Sequence, residues 1–126
     1  MIPFLQSRAR SFQHAFAGLW YVVRTQKNAW IHLLATILTI LFAFWLQVSL
    51  TQWAILILTI GTVWTAEFIN TALEAVVDLA SPFNHPLAKV GKDVGAAAVL
   101  IAAMSSVAIG ILILGPPLVV KLRLLF

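Results

Sequence analysis

From Asn28 to Ala66 the chain runs 39 residues without a formal charge. A bilayer-spanning helix needs about 20 mostly apolar residues, so this stretch is long enough to cross a membrane twice. The polar cluster at Gln47, Ser49, Thr51 and Gln52 is the natural turn, which predicts spans over 30–46 and 53–79. A second uncharged run, Val94 to Val120, predicts a third span over 94–114. Gly115-Pro116-Pro117 should stop it, because glycine suits a helix C-cap and proline cannot continue the helix. Lipid offers no partner for backbone amides, so each span satisfies its own as a helix. The composition agrees: 62% hydrophobic and 10% charged residues exclude an ordinary soluble domain and a disordered chain alike. With no cysteine there is no disulfide framework and no thiolate metal site. The expectation is an all-α membrane protein forming one domain over 1–126.

The first 28 residues are not a signal peptide, because Arg8, Arg10, Gln13 and His14 interrupt any apolar h-region. Phe4, Leu5, Phe12, Phe16, Leu19, Trp20 and Val23 recur near helical period between the polar residues. That pattern predicts an amphipathic helix on the membrane surface; a helix packed on the bundle and facing water is the alternative. Arg8, Arg10, Arg24 and Lys27 precede the first span, and Lys89 and Lys92 lie in a loop marked by Pro82, Asn84 and Pro86. The positive-inside rule therefore puts the N-terminus and this loop in the cytoplasm, with Lys121 and Arg123 dissenting at the other side.

Only four carboxylates occur, Glu67, Glu74, Asp78 and Asp93. At about 100° per residue, Glu67, Asn70, Glu74 and Asp78 share an arc of roughly 80°. A helix beginning at Trp53 puts Glu67 about 21 Å from its outer end and Glu74 about 32 Å, against an apolar layer of about 30 Å. Glu67 then lies within hydrocarbon near the cytosolic boundary. Burial there costs on the order of 2.5–3.5 kcal/mol, which makes such an acid a functional candidate; the alternative is a polar stripe that joins helices. The chain reversal after the second span returns Lys92 and Asp93 beside Glu74 and Asp78, with His85 between. Acids for a cation and a lysine for an anion suit a magnesium–polyphosphate ligand, although a Lys–Asp pair capping a helix start would read the same way.

Gly91-Lys92 is not a P-loop, since Pro86 stands where the first glycine is needed and Asp93 where Ser or Thr would hold the metal. His14 and His32 each stand alone and read as interfacial hydrogen-bonding residues rather than metal ligands.

The block Glu67-Phe68-Ile69-Asn70-Thr71-Ala72-Leu73-Glu74-Ala75-Val76-Val77-Asp78, followed by His85 and by Lys92-Asp93-Val94-Gly95-Ala96-Ala97-Ala98-Val99, resembles the prokaryotic diacylglycerol kinase and undecaprenol kinase family. The likeness extends to Phe12, His14, Ala15, Gly18 and Leu19 in the first helix and to Asn28-Ala29-Trp30-Ile31-His32 opening the first span. It implies a small three-span lipid kinase of the bacterial plasma membrane, acting as a homotrimer whose sites are shared between subunits. It implies Glu67 as general base toward the lipid hydroxyl, with Asn70 in support, and Glu74 as ligand of the Mg2+ carried by ATP. His85, Lys92 and Asp93 become nucleotide contacts, and Arg8 and His14 are further candidates. Two departures stand out: a second metal-binding acid of the family corresponds to Gln26 here, and a serine of some members to Ala96.

The implied partners are a lipid alcohol, Mg-ATP and the membrane, with no nucleic acid. The expected product is phosphatidic acid from diacylglycerol, with undecaprenol as the alternative acceptor. A rival of another class is a non-enzymatic oligomeric subunit or proton-conducting bundle using Glu67 as a relay. That rival needs polar groups continuing outward along the second span, where 53–66 offers only Thr59, Thr62 and Thr65.

Overall fold

The computed structural model describes residues 2–81, 83 and 85–124; the loop markers Pro82 and Asn84 and the side chains of Phe4 and Leu5 lie outside the described residues. The described residues form four helices in sequence: α1 (Ile2–Thr25), α2 (Lys27–Leu46), α3 (Leu50–Ala80) and α4 (Pro86–Arg123). The last three are each long and apolar enough to cross a membrane. Along α1 the described side chains are mostly exposed, Phe12, Phe16 and Trp20 included, and only Val22 is buried. Gln26 alone, extended at φ −95° and ψ 118°, separates α1 from α2.

The turn between the first two spans is shorter than its polar residues suggest. Gln47 takes the left-handed conformation (φ 55°, ψ 48°), and the N–H groups of Gln47 and Val48 donate to the carbonyls of Phe44 and Ala43. These two bonds form a Schellman closure. Ser49 then caps α3: its Oγ accepts from Gln52 N–H at 3.3 Å, and Gln52 Oε1 accepts from Ser49 N–H at 2.8 Å. The polar cluster is thus a reciprocal capping box, which starts α3 at Leu50 rather than Trp53.

The third span departs further from expectation, at both ends. His85 Nδ1 accepts from Leu87 N–H at 3.2 Å and Pro86 occupies the first turn, so α4 begins at Pro86, not Val94. Proline at that position sacrifices a donor that has no intrahelical partner anyway. At the far end α4 passes through Gly115-Pro116-Pro117 and continues to Arg123. Each proline removes one intrahelical hydrogen bond, here those to Leu112 and Ile113, but tertiary contacts hold the helix on either side of the gap. Ile113 is buried against Ala43 and Leu56, with Leu114 packed beside them. Beyond the prolines, Lys121 Nζ donates to the Trp45 carbonyl at 2.5 Å and lies 4.8 Å from the Trp45 ring centroid. This bond satisfies a carbonyl in the last turn of α2, where a cation is also favoured by the helix dipole. One of the two cations on the dissenting side therefore has a structural partner.

The buried residues of α3, Leu56, Thr59, Val63, Glu67, Asn70 and Thr71, fall on one face at the three- and four-residue spacing of a helix stripe. This face is apolar near Leu56 and polar from Glu67 onward. On α4, Gly95 is buried tightly against Asn70 and Leu73 of α3.

Candidate active site

Glu67 is 1% exposed, in the middle of an apolar helix. Its Oε2 lies 3.8 Å from His32 Nε2 on α2, and neither atom makes a hydrogen bond among the described residues. One turn along α3, Asn70 Nδ2 donates to Glu74 Oε1 at 2.9 Å. That bond fixes one Glu74 oxygen and leaves the other for a ligand. Asn70 Oδ1 is buried and also makes no hydrogen bond. Thr71 is committed elsewhere, donating to the Glu67 carbonyl at 2.9 Å.

His32, Glu67, Asn70 and Glu74 line a cleft of about 270 Å3 between α2, α3 and α4, together with Gln26, Asn28 and Ala96. Gln26 enters it because the chain is extended at the α1–α2 junction. Gln26 and Glu74, the two residues expected at the metal, thus share one cavity, and Ala96 presents a methyl group where a hydroxyl would project.

His85, Lys92 and Asp93 line a second and larger cleft, about 530 Å3, with Asp78 and Lys89. Lys92 Nζ bridges to Asp78 Oδ1 at 2.5 Å across the α3–α4 corner, while Asp93 is turned to Lys89 at 2.5 Å. Neighbours in sequence therefore serve different partners. The clefts adjoin through α3, on which Asp78 stands one turn beyond Glu74. Along the helix axis Glu67 and Asp78 are about 16 Å apart, within reach of one extended nucleotide. His85 spends Nδ1 on the helix cap, which leaves Nε2 as its nitrogen for a ligand.

Arg8 and His14 stand apart. Both lie on exposed stretches of α1, and neither lines these two clefts; His14 lines a separate cleft with Arg10 and Ser11. In the opposite direction, the structure adds His32 to the site. The signal for it was in the sequence: His32 is the only ionisable side chain in the uncharged run from Asn28 to Ala66.

The sequence profile of the prokaryotic diacylglycerol kinase family matches residues 13–114. The chain belongs to this family. As a family member it is a lipid kinase, and Glu67, Asn70, Glu74, His85, Lys92 and Asp93 all lie within the matched region, whereas Arg8 precedes it. The kinase is 40% identical over 109 residues to an undecaprenol kinase of Bacillus subtilis, a match covering 86% of this chain and 89% of the relative. It is 43% identical over 109 residues to a diacylglycerol kinase of Synechocystis sp., covering 86% of this chain and 62% of that protein. A diacylglycerol kinase of Helicobacter pylori is 33% identical over 101 residues, 75% of this chain and 79% of the relative. The kinase thus resembles enzymes named for two different lipid alcohols.

Thr59 and Thr62, which an outward proton relay would require, donate to the Ile55 and Leu58 carbonyls of their own helix. Both hydroxyl protons are thereby spent on the backbone of α3.

Proposed function

We propose that the protein transfers the γ-phosphate of ATP to the hydroxyl of diacylglycerol at the cytosolic face of the membrane, giving phosphatidic acid. The carrying observation is Glu67, a buried carboxylate with one oxygen unpartnered, opening into the same cleft as Glu74 and Gln26. Glu67 takes the proton of the lipid hydroxyl as the oxygen attacks phosphorus. Asn70 holds Glu74 in place, and Lys92 and His85 contact the nucleotide. Phosphoryl transfer asks little covalent chemistry of the protein, so positioning and charge neutralisation do most of the catalysis.

Mg2+ fits the donor set. Glu74 offers a carboxylate oxygen and Gln26 an amide oxygen, and magnesium takes one or two such protein ligands besides phosphate and water. Among the described residues no three His, Cys, Asp or Glu side chains gather into a metal group; two oxygen donors suit an ion delivered with the triphosphate. Bound there, the ion would neutralise charge on the β- and γ-phosphates. Replacing Glu74 by Gln is expected to raise KM for Mg-ATP about tenfold or more, the loss of one charge-assisted contact, with a smaller change in KM for lipid. Initial rates at varied Mg-ATP test this, and an unchanged KM would remove Glu74 from the metal.

The four helices act as one lipid-kinase domain, assembled as a homotrimer that shares its sites between neighbours. In that assembly α1 lies on the membrane surface with its aromatic residues in lipid, and Arg8 and His14 serve nucleotide in an adjacent subunit's site. The basic residues before α2 and at the start of α4 support a cytosolic N-terminus and active site.

Undecaprenol is the second reading, favoured by the match across 89% of the Bacillus subtilis undecaprenol kinase. Both alcohols would bring a hydroxyl to the depth of Glu67. The test is competition: purified protein in mixed micelles receives both lipids with radiolabelled Mg-ATP. Predominant labelling of phosphatidic acid is the expected result; predominant labelling of undecaprenyl phosphate would overturn the diacylglycerol assignment, and no labelled lipid would overturn the kinase reaction itself.

A further inference from the structure

The reaction proposed above leaves a proton on Glu67, and the surroundings of Glu67 offer few ways to remove it. The carboxylate side chain is 2% exposed. Asn70 has no site that accepts a proton at neutral pH, and the Thr71 hydroxyl is tied to the Glu67 carbonyl. Glu74 is two turns away along α3, with one oxygen already held by Asn70. Trp64 donates its Nε1–H to Thr36 Oγ1 at 3.1 Å. His32 alone among the described neighbours presents a basic nitrogen, and that nitrogen is an unpartnered, buried atom facing the unpartnered Glu67 oxygen.

We infer that His32 is the proton acceptor that resets Glu67 after each turnover. The inference rests on Glu67 being the general base. During transfer, the lipid hydroxyl gives its proton to Glu67 Oε2 while its oxygen bonds to the γ-phosphorus and the bond from that phosphorus to the β-phosphate oxygen breaks. In the reset, Glu67 Oε2–H passes its proton to the lone pair of His32 Nε2. The imidazolium then releases a proton to water in the cleft, restoring neutral His32 and an ionised Glu67. No electrons change hands and no other reactant is needed.

The geometry suits this role. The 3.8 Å gap needs a side-chain shift of about 1 Å to become a hydrogen bond. The His32 side chain is 13% exposed, against 2% for Glu67, and it lines the cleft beside the polar side chains of Gln26 and Asn28. It is therefore the more solvent-accessible member of the pair. Its ring is braced edge-on by Trp64, with centroids 6.3 Å apart and an interplanar angle of 69°.

A reset partner has a kinetic signature that a structural residue lacks, because the first phosphoryl transfer does not need it. Rapid-quench experiments would mix lipid-loaded micelles of the full-length protein with radiolabelled Mg-ATP. They would follow the first turnover and the steady state for wild type, His32→Ala, His32→Gln and Glu67→Gln. In both His32 variants the first turnover should keep a rate within about twofold of wild type while steady-state kcat falls by about tenfold or more, the low end of proton-transfer effects. Free imidazole in the buffer should restore the steady state of His32→Ala. His32→Gln preserves polarity and much of the volume, so it serves even if the alanine variant does not fold. A first turnover that falls in step with the steady state, a wild-type rate in His32→Gln, or no response to imidazole would each overturn the inference while leaving Glu67 as base. A Glu67→Gln protein that completes its first turnover at the normal rate would instead overturn the base assignment on which it rests.

Discussion

Glu67→Gln should lower kcat by about two to four orders of magnitude, the range that a positioned general base contributes. Mg-ATP binding should change little, because the substitution removes an interaction made with the reacting hydroxyl and not with the nucleotide. The expectation is strict because the amide is nearly isosteric with the acid. Packing against His32 and α4 is retained, so lost activity cannot be blamed on a collapsed cavity. The amide also spares the cost of a carboxylate inside hydrocarbon, and the variant should be at least as stable as the parent. Activity and thermal stability should therefore move in opposite directions. Phosphate incorporation into lipid in reconstituted membranes, read beside nucleotide binding and thermal unfolding in detergent, checks all three. Turnover within about threefold of the parent is far short of a general-base effect and would refute the role.

Gly95 should be the second sensitive position, although nothing in its chemistry is reactive. A Cβ at Gly95 would collide with Asn70 Oδ1 and come within 3.1 Å of Leu73 Cδ2. Asn70 can swing aside, so the protein should still fold, with Gly95→Ala losing about 1–3 kcal/mol from overpacking. The swing breaks the Asn70–Glu74 hydrogen bond and displaces the residue next to Glu67, so activity should fall by more than stability does. One turn earlier on the same helix, a Cβ at Gly91 would meet only Val77 Cγ2 at 3.7 Å, an ordinary contact. Gly91→Ala should therefore be neutral or stabilising, by up to about 1 kcal/mol of helix propensity. Lipid phosphorylation and unfolding measured on both variants test the contrast, which fails if Gly95→Ala and Gly91→Ala behave alike.

Much of this was legible in the sequence because lipid simplifies the code. Length and charge marked the three spans, and an acid stripe at helical spacing marked the cleft that gathers Glu67, Asn70 and Glu74. The misses have physical causes. Polar residues at 47–52 read as a loop, yet Ser49 and Gln52 are polar because they cap each other. Gly115-Pro116-Pro117 read as a stop, yet the helix runs through it, with Ile113 and Lys121 packed on α2 at either side of the prolines. Proline rules weigh local backbone cost, and long-range contacts outweighed it here. His32 read as an isolated interfacial residue because no local spacing links it to Glu67, 35 positions away; only packing of α2 on α3 brings them together.

The apolar plug formed by Ala43, Leu56 and Ile113 has a consequence for the cell that hosts such a protein. It fills the space between α2, α3 and α4 with packed hydrocarbon about 16 Å along α3 from Glu67, so no continuous row of polar side chains runs the length of α3. If Glu67 takes up a proton at every cycle as proposed, this packing lets the enzyme be present in quantity without short-circuiting the ion gradients that energise the membrane.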